Sequence, residues 1–97
     1  MRETVTFDDV LLEPQFSNID SRKLINLSSQ LDPEYILQIP IISSPMDTVT
    51  EWKMAQTMTN LGGLGIIHRY NTPKEQAMLV KKALGGDTDL LVGAAIG

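Results

Sequence analysis

Apolar residues fall into two regimes along this chain. Through residues 1–38 they come in short groups, Val5, Phe7, Val10, Leu11 and Leu12 and later Leu24, Ile25, Leu27 and Leu31, broken by Pro14, Asn18, Asp20 and Pro33. Neither a twofold nor a 3.6-residue period is sustained there, which predicts an irregular arm with two short strands. From Ile39 onward the pattern is regular. Ile39-Pro40-Ile41-Ile42 reads as a short strand buried on both faces. Residues 50–61 place Trp52, Ala55 and Met58 on neighbouring turns, with Thr59 or Leu61 extending the stripe and Lys53, Gln56 and Asn60 free to face water, the pattern of an amphipathic helix. A strand is predicted at 64–68, a second helix at 73–84 and a third strand at 90–96. This β-α-β-α-β order, with strands about 25 residues apart, suits crossovers between parallel strands.

The boundaries carry their own signals. Thr48 to Glu51 has the T-x-x-E spacing of a capping box that opens the first helix. Thr72, Pro73 and Glu75 supply an N-cap, a proline at the first helical position and a closing glutamate for the second, which ends at Gly85-Gly86. Gly62-Gly63-Leu64-Gly65 ends a helix and enters a strand, whereas a dinucleotide fingerprint follows a strand and opens a helix; it reads as a C-cap and tight turn. Gly93 and Gly97, in or just after the third strand, mark close approach of a ligand or another backbone. Such a unit fits an open doubly wound sheet or a barrel. In both, ligands sit at the carboxyl ends of the strands, so the turn from Ser43 to Asp47 is the candidate ligand loop.

The 97 residues fall short of the roughly 200 or more of an eight-stranded barrel. A third strand with no helix after it would leave an apolar edge open, so an incomplete piece of a larger domain is expected. A composition of 42% hydrophobic and 21% charged residues is that of a globular domain. The net charge of −4, with scattered lysines and arginines, gives no footprint for nucleic acid or an anionic membrane, and neither partner is expected. The amino terminus lacks the apolar core of a signal peptide, and a cytoplasmic location is expected. Cysteine is absent, which excludes a disulfide, a thiolate metal site and a cysteine nucleophile within these residues. His68 is the sole histidine, so no histidine pair can hold a metal. Asp8 and Asp9 have no base or nucleophile beside them and read as turn or packing contacts.

Four segments in order, T-F-D-D-V-L-L-E-P (Thr6 to Pro14), S-S-P-M-D-T-V-T-E (Ser43 to Glu51), G-G-L-G-I-I-H-R-Y (Gly62 to Tyr70) and V-G-A-A-I-G (Val92 to Gly97), resemble the amino-terminal part of the IMP dehydrogenase/GMP reductase family. The resemblance implies an α/β fold: a (β/α)8 TIM barrel preceded by an arm, with residues 1–38 the arm and 39–97 the first three strands, in an enzyme that is usually a homotetramer. It implies attack of a cysteine on the purine C2 of IMP, hydride transfer to NAD and hydrolysis to XMP, a step in guanine nucleotide synthesis. In such proteins the cysteine loop, the monovalent-cation site, the main phosphate loops and the mobile flap lie beyond the region matched by Gly97. This chain by itself is therefore expected to be inactive, with no catalytic residue and no metal ligand.

What carries over is one wall of the pocket: Ser44 near phosphate and ribose, Met46 against the base, Asp47 and Thr48 as secondary candidates, and His68 with Arg69 on the dinucleotide side. Each has a plainer alternative. Ser44 fits a turn, Met46 an irregular core gap, Asp47 a helix-start anion, and His68 a hydrogen-bonded structural imidazole. The S-S-P-M-D-T-V-T-E wording is closer to IMP dehydrogenases, whereas H-R-Y and Ser21-Arg22 lean toward GMP reductases. The short link from Lys82 to Leu90 leaves no room for the pair of CBS modules many IMP dehydrogenases carry. Three readings stand: an IMP dehydrogenase using NAD, a GMP reductase using NADPH to expel ammonia from GMP, and a shortened noncatalytic relative that associates with a complete barrel.

Overall fold

A computed structural model describes residues 3–87 and 89–97. In the arm, β1 (Ser29–Gln30) and β2 (Ile36–Leu37) pair antiparallel, Ser29 opposite Leu37 and Gln30 opposite Ile36. Asp32 closes the hairpin, its Oδ1 accepting the N–H groups of Glu34 and Tyr35, both at 2.8 Å. A single 3-10 turn at Arg22–Leu24, capped by the Ser21 hydroxyl, precedes it. Much of the remaining arm lies in water: Phe7, Leu11, Leu12 and Phe16 are each more than 90% exposed.

The regular part consists of β3 (Ile42–Ser43), α1 (Trp52–Asn60), β4 (Leu64–Ile67), α2 (Pro73–Leu84) and β5 (Gly93–Ala94). The three strands form one parallel sheet in the order β3-β4-β5. Ile42 stands opposite Leu64 and Ile67 opposite Ala94. Both helices pack on one side of it, where Ala55, Ile67 and Ala83 have no exposure and Trp52, Leu79, Val80 and Val92 close around them. Small residues permit this approach: a Cβ on Gly65 would lie 2.5 Å from the Ala55 Cα.

The first and third strands are shorter than the pattern predicts. Pro40 has no N–H for a ladder, and Ile39 N–H turns back to the Gly62 carbonyl at 3.0 Å, so β3 begins only at Ile42. It is not buried on both faces. Ile39, Ile41 and Ile42 are 42%, 60% and 45% exposed, because helices cover only one side of the sheet. Before β5, Leu91 N–H goes to Thr59 Oγ1 at 3.3 Å, which ties that segment to α1 and leaves a ladder only from Gly93 to the Ala95 N–H, bonded to the Ile67 carbonyl at 2.9 Å.

Three helix boundaries follow expectation and one does not. α2 has its full capping box, with Glu75 N–H on Thr72 Oγ1 at 3.1 Å, Thr72 N–H on Glu75 Oε2 at 3.4 Å, and Gly85 left-handed at φ 59°. α1 ends in a Schellman motif: Gly62 at φ 96° donates to Thr59 O and Gly63 to Met58 O. The Thr48–Glu51 box at its start does not form. α1 begins at Trp52, and Glu51 in the N-cap position makes no side-chain cap hydrogen bond because its carboxylate is engaged elsewhere. Gln56, expected to face water, instead donates to Ala83 O at 3.3 Å and couples the helices, while Thr59 rather than Leu61 joins the packed side. Among the described residues no helix is long and apolar enough to cross a membrane.

Candidate functional site

The chain leaves β3 into a loop that folds on itself before α1. Met46 N–H bonds Ser44 O at 2.8 Å, and Val49 and Thr50 N–H both bond Met46 O, at 3.0 and 2.9 Å. Thr50 has no solvent exposure. Its Oγ1 lies 2.6 Å from Ser44 O and 2.8 Å from Ser43 Oγ. One hydroxyl proton serves one acceptor and a carbonyl can only accept; the Thr50 proton therefore goes to Ser44 O, and the Ser43 hydroxyl supplies its own. Ser44 and Met46 are exposed at the carboxyl end of β3, Met46 to 51%. Asp47 and Thr48 line a separate cavity of about 500 Å³ with Val49, Trp52 and Lys53.

The loop is fastened to the end of β4. His68 N–H reaches Thr50 O at 3.5 Å, and His68 Nε2 lies 3.3 Å from Glu51 Oε2. Nδ1 accepts the Tyr70 N–H at 3.1 Å, which leaves Nε2 as the protonated nitrogen donating to the carboxylate. The Tyr70 ring stacks on the imidazole with centroids 6.3 Å apart. His68 is thus 4% exposed with both ring nitrogens engaged. No nucleophile belongs to this pair, since the second ring nitrogen holds a backbone N–H.

Arg69, the next residue, is exposed, and its guanidinium lies beside Gly97: a Cβ there would be 2.7 Å from Nη1. Gln76 Nε2 donates to His68 O at 3.1 Å and Ala95 O at 2.8 Å, joining the ends of β4 and β5 with both of its protons. Arg69, Asn71, Pro73, Gln76, Ala95 and Gly97 line a cleft of about 320 Å³. Asn71 Oδ1 and Nδ2 are buried without a protein partner. The structure therefore brings Ser44 and Met46 onto one strand end and Arg69 onto its neighbour, with His68 packed behind. Sequence reasoning missed Thr50, Glu51, Asn71 and Gln76. Thr50 and Glu51 were visible only as a helix start, and Gln76 only as a polar residue on a helix.

Among the described residues, the titrating group with a displaced pKa is in the arm. Thr6 donates its N–H and its hydroxyl to Asp9 Oδ2 at 3.0 and 3.1 Å, and these bonds, the backbone one foremost, hold the Asp9 carboxyl below its ordinary 3.8.

Comparison with known proteins bears on what this arrangement serves. The family model for the IMP dehydrogenase / GMP reductase domain matches residues 4–97. The chain is 49% identical over 81 residues to the inosine-5'-monophosphate dehydrogenase of Nitrosopumilus maritimus, 52% over 81 residues to that of Staphylococcus aureus, and 50% over 80 residues to the GMP reductase of Leishmania donovani. These matches cover 82–84% of this chain but only 16–17% of each relative's length. With the model spanning nearly every residue and the loop and strand ends falling inside it, the chain belongs to the IMP dehydrogenase/GMP reductase family.

Proposed function

We propose that this chain supplies one wall of the active site of a purine-nucleotide oxidoreductase, an IMP dehydrogenase that oxidises IMP to XMP with NAD. The observation that carries the reading is the pairing of exposed Ser44 and Met46 at the end of β3 with exposed Arg69 at the end of the adjacent parallel β4. On this reading Ser44 hydrogen-bonds the phosphate or ribose, and Met46 lies against the purine. The consecutive strand order, with both helices on one side, supports β3, β4 and β5 as the first three strands of a (β/α)8 barrel.

A dinucleotide asks for a cation and amide donors at its pyrophosphate. Arg69 and the unpartnered amide of Asn71 meet that demand, and a cleft of about 320 Å³ is of a size for one end of such a molecule. NAD, when bound, supplies the hydride acceptor. Arg69 and Asn71 would hold it, and His68, buried between Glu51 and Gln76, would position Arg69 from behind rather than touch it. The cysteine that such an oxidation requires is not among these 97 residues, so their contribution is binding and orientation. Assembly into a tetramer and a cytoplasmic location belong to the same reading.

One observation favours a second reading, a GMP reductase using NADPH: identity to the Leishmania donovani GMP reductase is 50%, level with that to the dehydrogenases. The test is to assay the complete gene product with IMP plus NAD and with GMP plus NADPH, while measuring IMP and GMP binding calorimetrically. Reduction of NAD dependent on IMP supports the dehydrogenase, and oxidation of NADPH dependent on GMP the reductase. Binding without turnover identifies a noncatalytic relative, and absence of binding by either nucleotide overturns the proposal.

A further inference from the structure

We infer that Thr50 is the positioning residue of the nucleotide loop, its solvent-inaccessible hydroxyl fixing the main chain at Ser44 and so the placement of Ser44 and Met46. The inference rests on the reading of those two residues as nucleotide contacts. Three features carry it. Thr50 is fully buried, and both hydrogen-bond partners of its hydroxyl are in the Ser43-Ser44 segment. The α1 amino terminus has no side-chain cap, so a threonine and a glutamate suited to capping serve the loop and β4 instead. The Thr50 carbonyl also accepts the His68 N–H, which makes this residue the point where the loop meets the neighbouring strand end.

The Ser44 carbonyl has the Met46 N–H as its other partner, at 2.8 Å. Without the Thr50 proton the Ser44 carbonyl keeps the Met46 N–H, two residues on, and loses its tie to the residue that meets β4. The loop would then drift relative to β4 while the sheet and helices stayed as they are. Binding of a ligand held by Ser44 and Met46 would weaken because its site is no longer preorganised.

The experiment compares Thr50→Val, which keeps shape and loses the hydroxyl, with Thr50→Ser, which keeps it, and with Ser44→Ala, in the complete gene product. The readouts are IMP and GMP affinity by calorimetry and, where turnover occurs, KM against kcat. Thr50→Val is expected to weaken nucleotide binding roughly five- to tenfold, the loss of one hydrogen bond, with kcat at saturation within about twofold. Thr50→Ser restores affinity to within about twofold. A simple folding role would lower the amount of active protein without moving Kd or KM. Unchanged affinity in Thr50→Val beside weakened binding in Ser44→Ala overturns the inference and leaves the nucleotide loop intact. Unchanged affinity in both overturns the loop reading and the inference with it. Should Thr50→Val not fold, Thr50→Ala carries the test: it removes the same hydroxyl proton from Ser44 O, a comparable loss of affinity relative to Thr50→Ser is expected, and no loss overturns the inference.

Discussion

Adding one methyl group at Gly65 should damage this sheet more than its size suggests. A Cβ there would stand 2.5 Å from Ala55 Cα, 3.1 Å from Ala55 Cβ and 3.3 Å from Ala55 N. Carbon atoms rest at about 3.5–4.0 Å, so α1 must retreat from β4 by roughly 1 Å. The nearest atom is backbone and cannot rotate away. That retreat also opens the contacts of Ala55 with Ile67 and Ala83, none of which has any exposure. Overpacking costs about 1–3 kcal/mol, and a backbone collision belongs at the upper end; replacing glycine within a strand returns about 0.5–1 kcal/mol, leaving a net loss near 2 kcal/mol. Urea denaturation followed by the fluorescence of Trp52, the single tryptophan and a neighbour of the core, measures it. With a slope of about 1.5 kcal/mol per molar, Gly65→Ala moves the midpoint down by more than about 1 M. Adding Ala55→Gly removes the 3.1 Å contact but not the 2.5 Å one, so the double variant should recover little. A Gly65→Ala protein within about 0.5 kcal/mol of the parent, or full recovery in the double variant, would refute this account of how α1 is seated.

Gln76→Glu replaces two N–H donors with a carboxylate facing the carbonyls of His68 and Ala95; a loss of about 2–3 kcal/mol at neutral pH is expected in the same denaturation assay, recovering partly in acid, where a protonated carboxyl regains one donor. Thr72→Ala removes the side-chain half of the α2 capping box and should cost about 1 kcal/mol in thermal unfolding, whereas Thr72→Ser should cost little. Asp9 should titrate below 3.8 in a carbon-13 NMR experiment. Because its folded pKa is depressed, the stability that its turn gains is present above 3.8 and is lost as pH falls through the folded value. Thr6→Val, which deletes the weaker of its two bonds, should move the titration only part of the way back, and a value at or above 3.8 in the parent protein would contradict the turn.

The elements with a local cause could be read from sequence, and those set by a distant partner could not. Thr72, Pro73 and Glu75 act on their own helix, and the Gly62-Gly63 turn on its own chain reversal, so both boundaries were legible. Thr48 to Glu51 offered an equally good local signal. There the partners across the sheet won: Glu51 turned to His68, seventeen residues on, and Thr50 to Ser43 and Ser44. The continuous apolar run Ile39 to Ile42 was read as burial on both faces, yet burial depends on what covers the far side, which no local run encodes. Gln56 and Gln76 looked like solvent-facing helix residues. A glutamine amide gives no hint in sequence that it will bridge two helices or two strand ends. The strand-end placement of Ser44, Met46 and Arg69 was legible in the sequence, whereas the scaffold that holds them was not.

The strand register places the two proposed binding walls at different depths. Ser43 stands opposite Gly65, so Ser44 leaves β3 level with Ile66, while Arg69 follows three residues later, in the bend past the end of β4. Even one strand residue, the step from Ile66 to Ile67, raises the chain by about 3.3 Å, so Arg69 stands above the level of Ser44. β5 continues the higher level: Ala94 stands opposite Ile67, which brings Gly97 alongside the Arg69 guanidinium. Hydride transfer needs the reacting atoms about 3–3.5 Å apart, so under the proposed function a nucleotide against Ser44 and a dinucleotide at Arg69 would have to meet across that step. Neighbouring strands are about 4.8 Å apart, so the two walls are offset sideways as well as in height. Glu51-His68 and Gln76 brace the riser of this step from both sides, one to the β3 loop and the other to β5. A buried, fully bonded His68 fits the proposed function: if two ligands meet across this step, the residue between the two walls has to be the one that moves least.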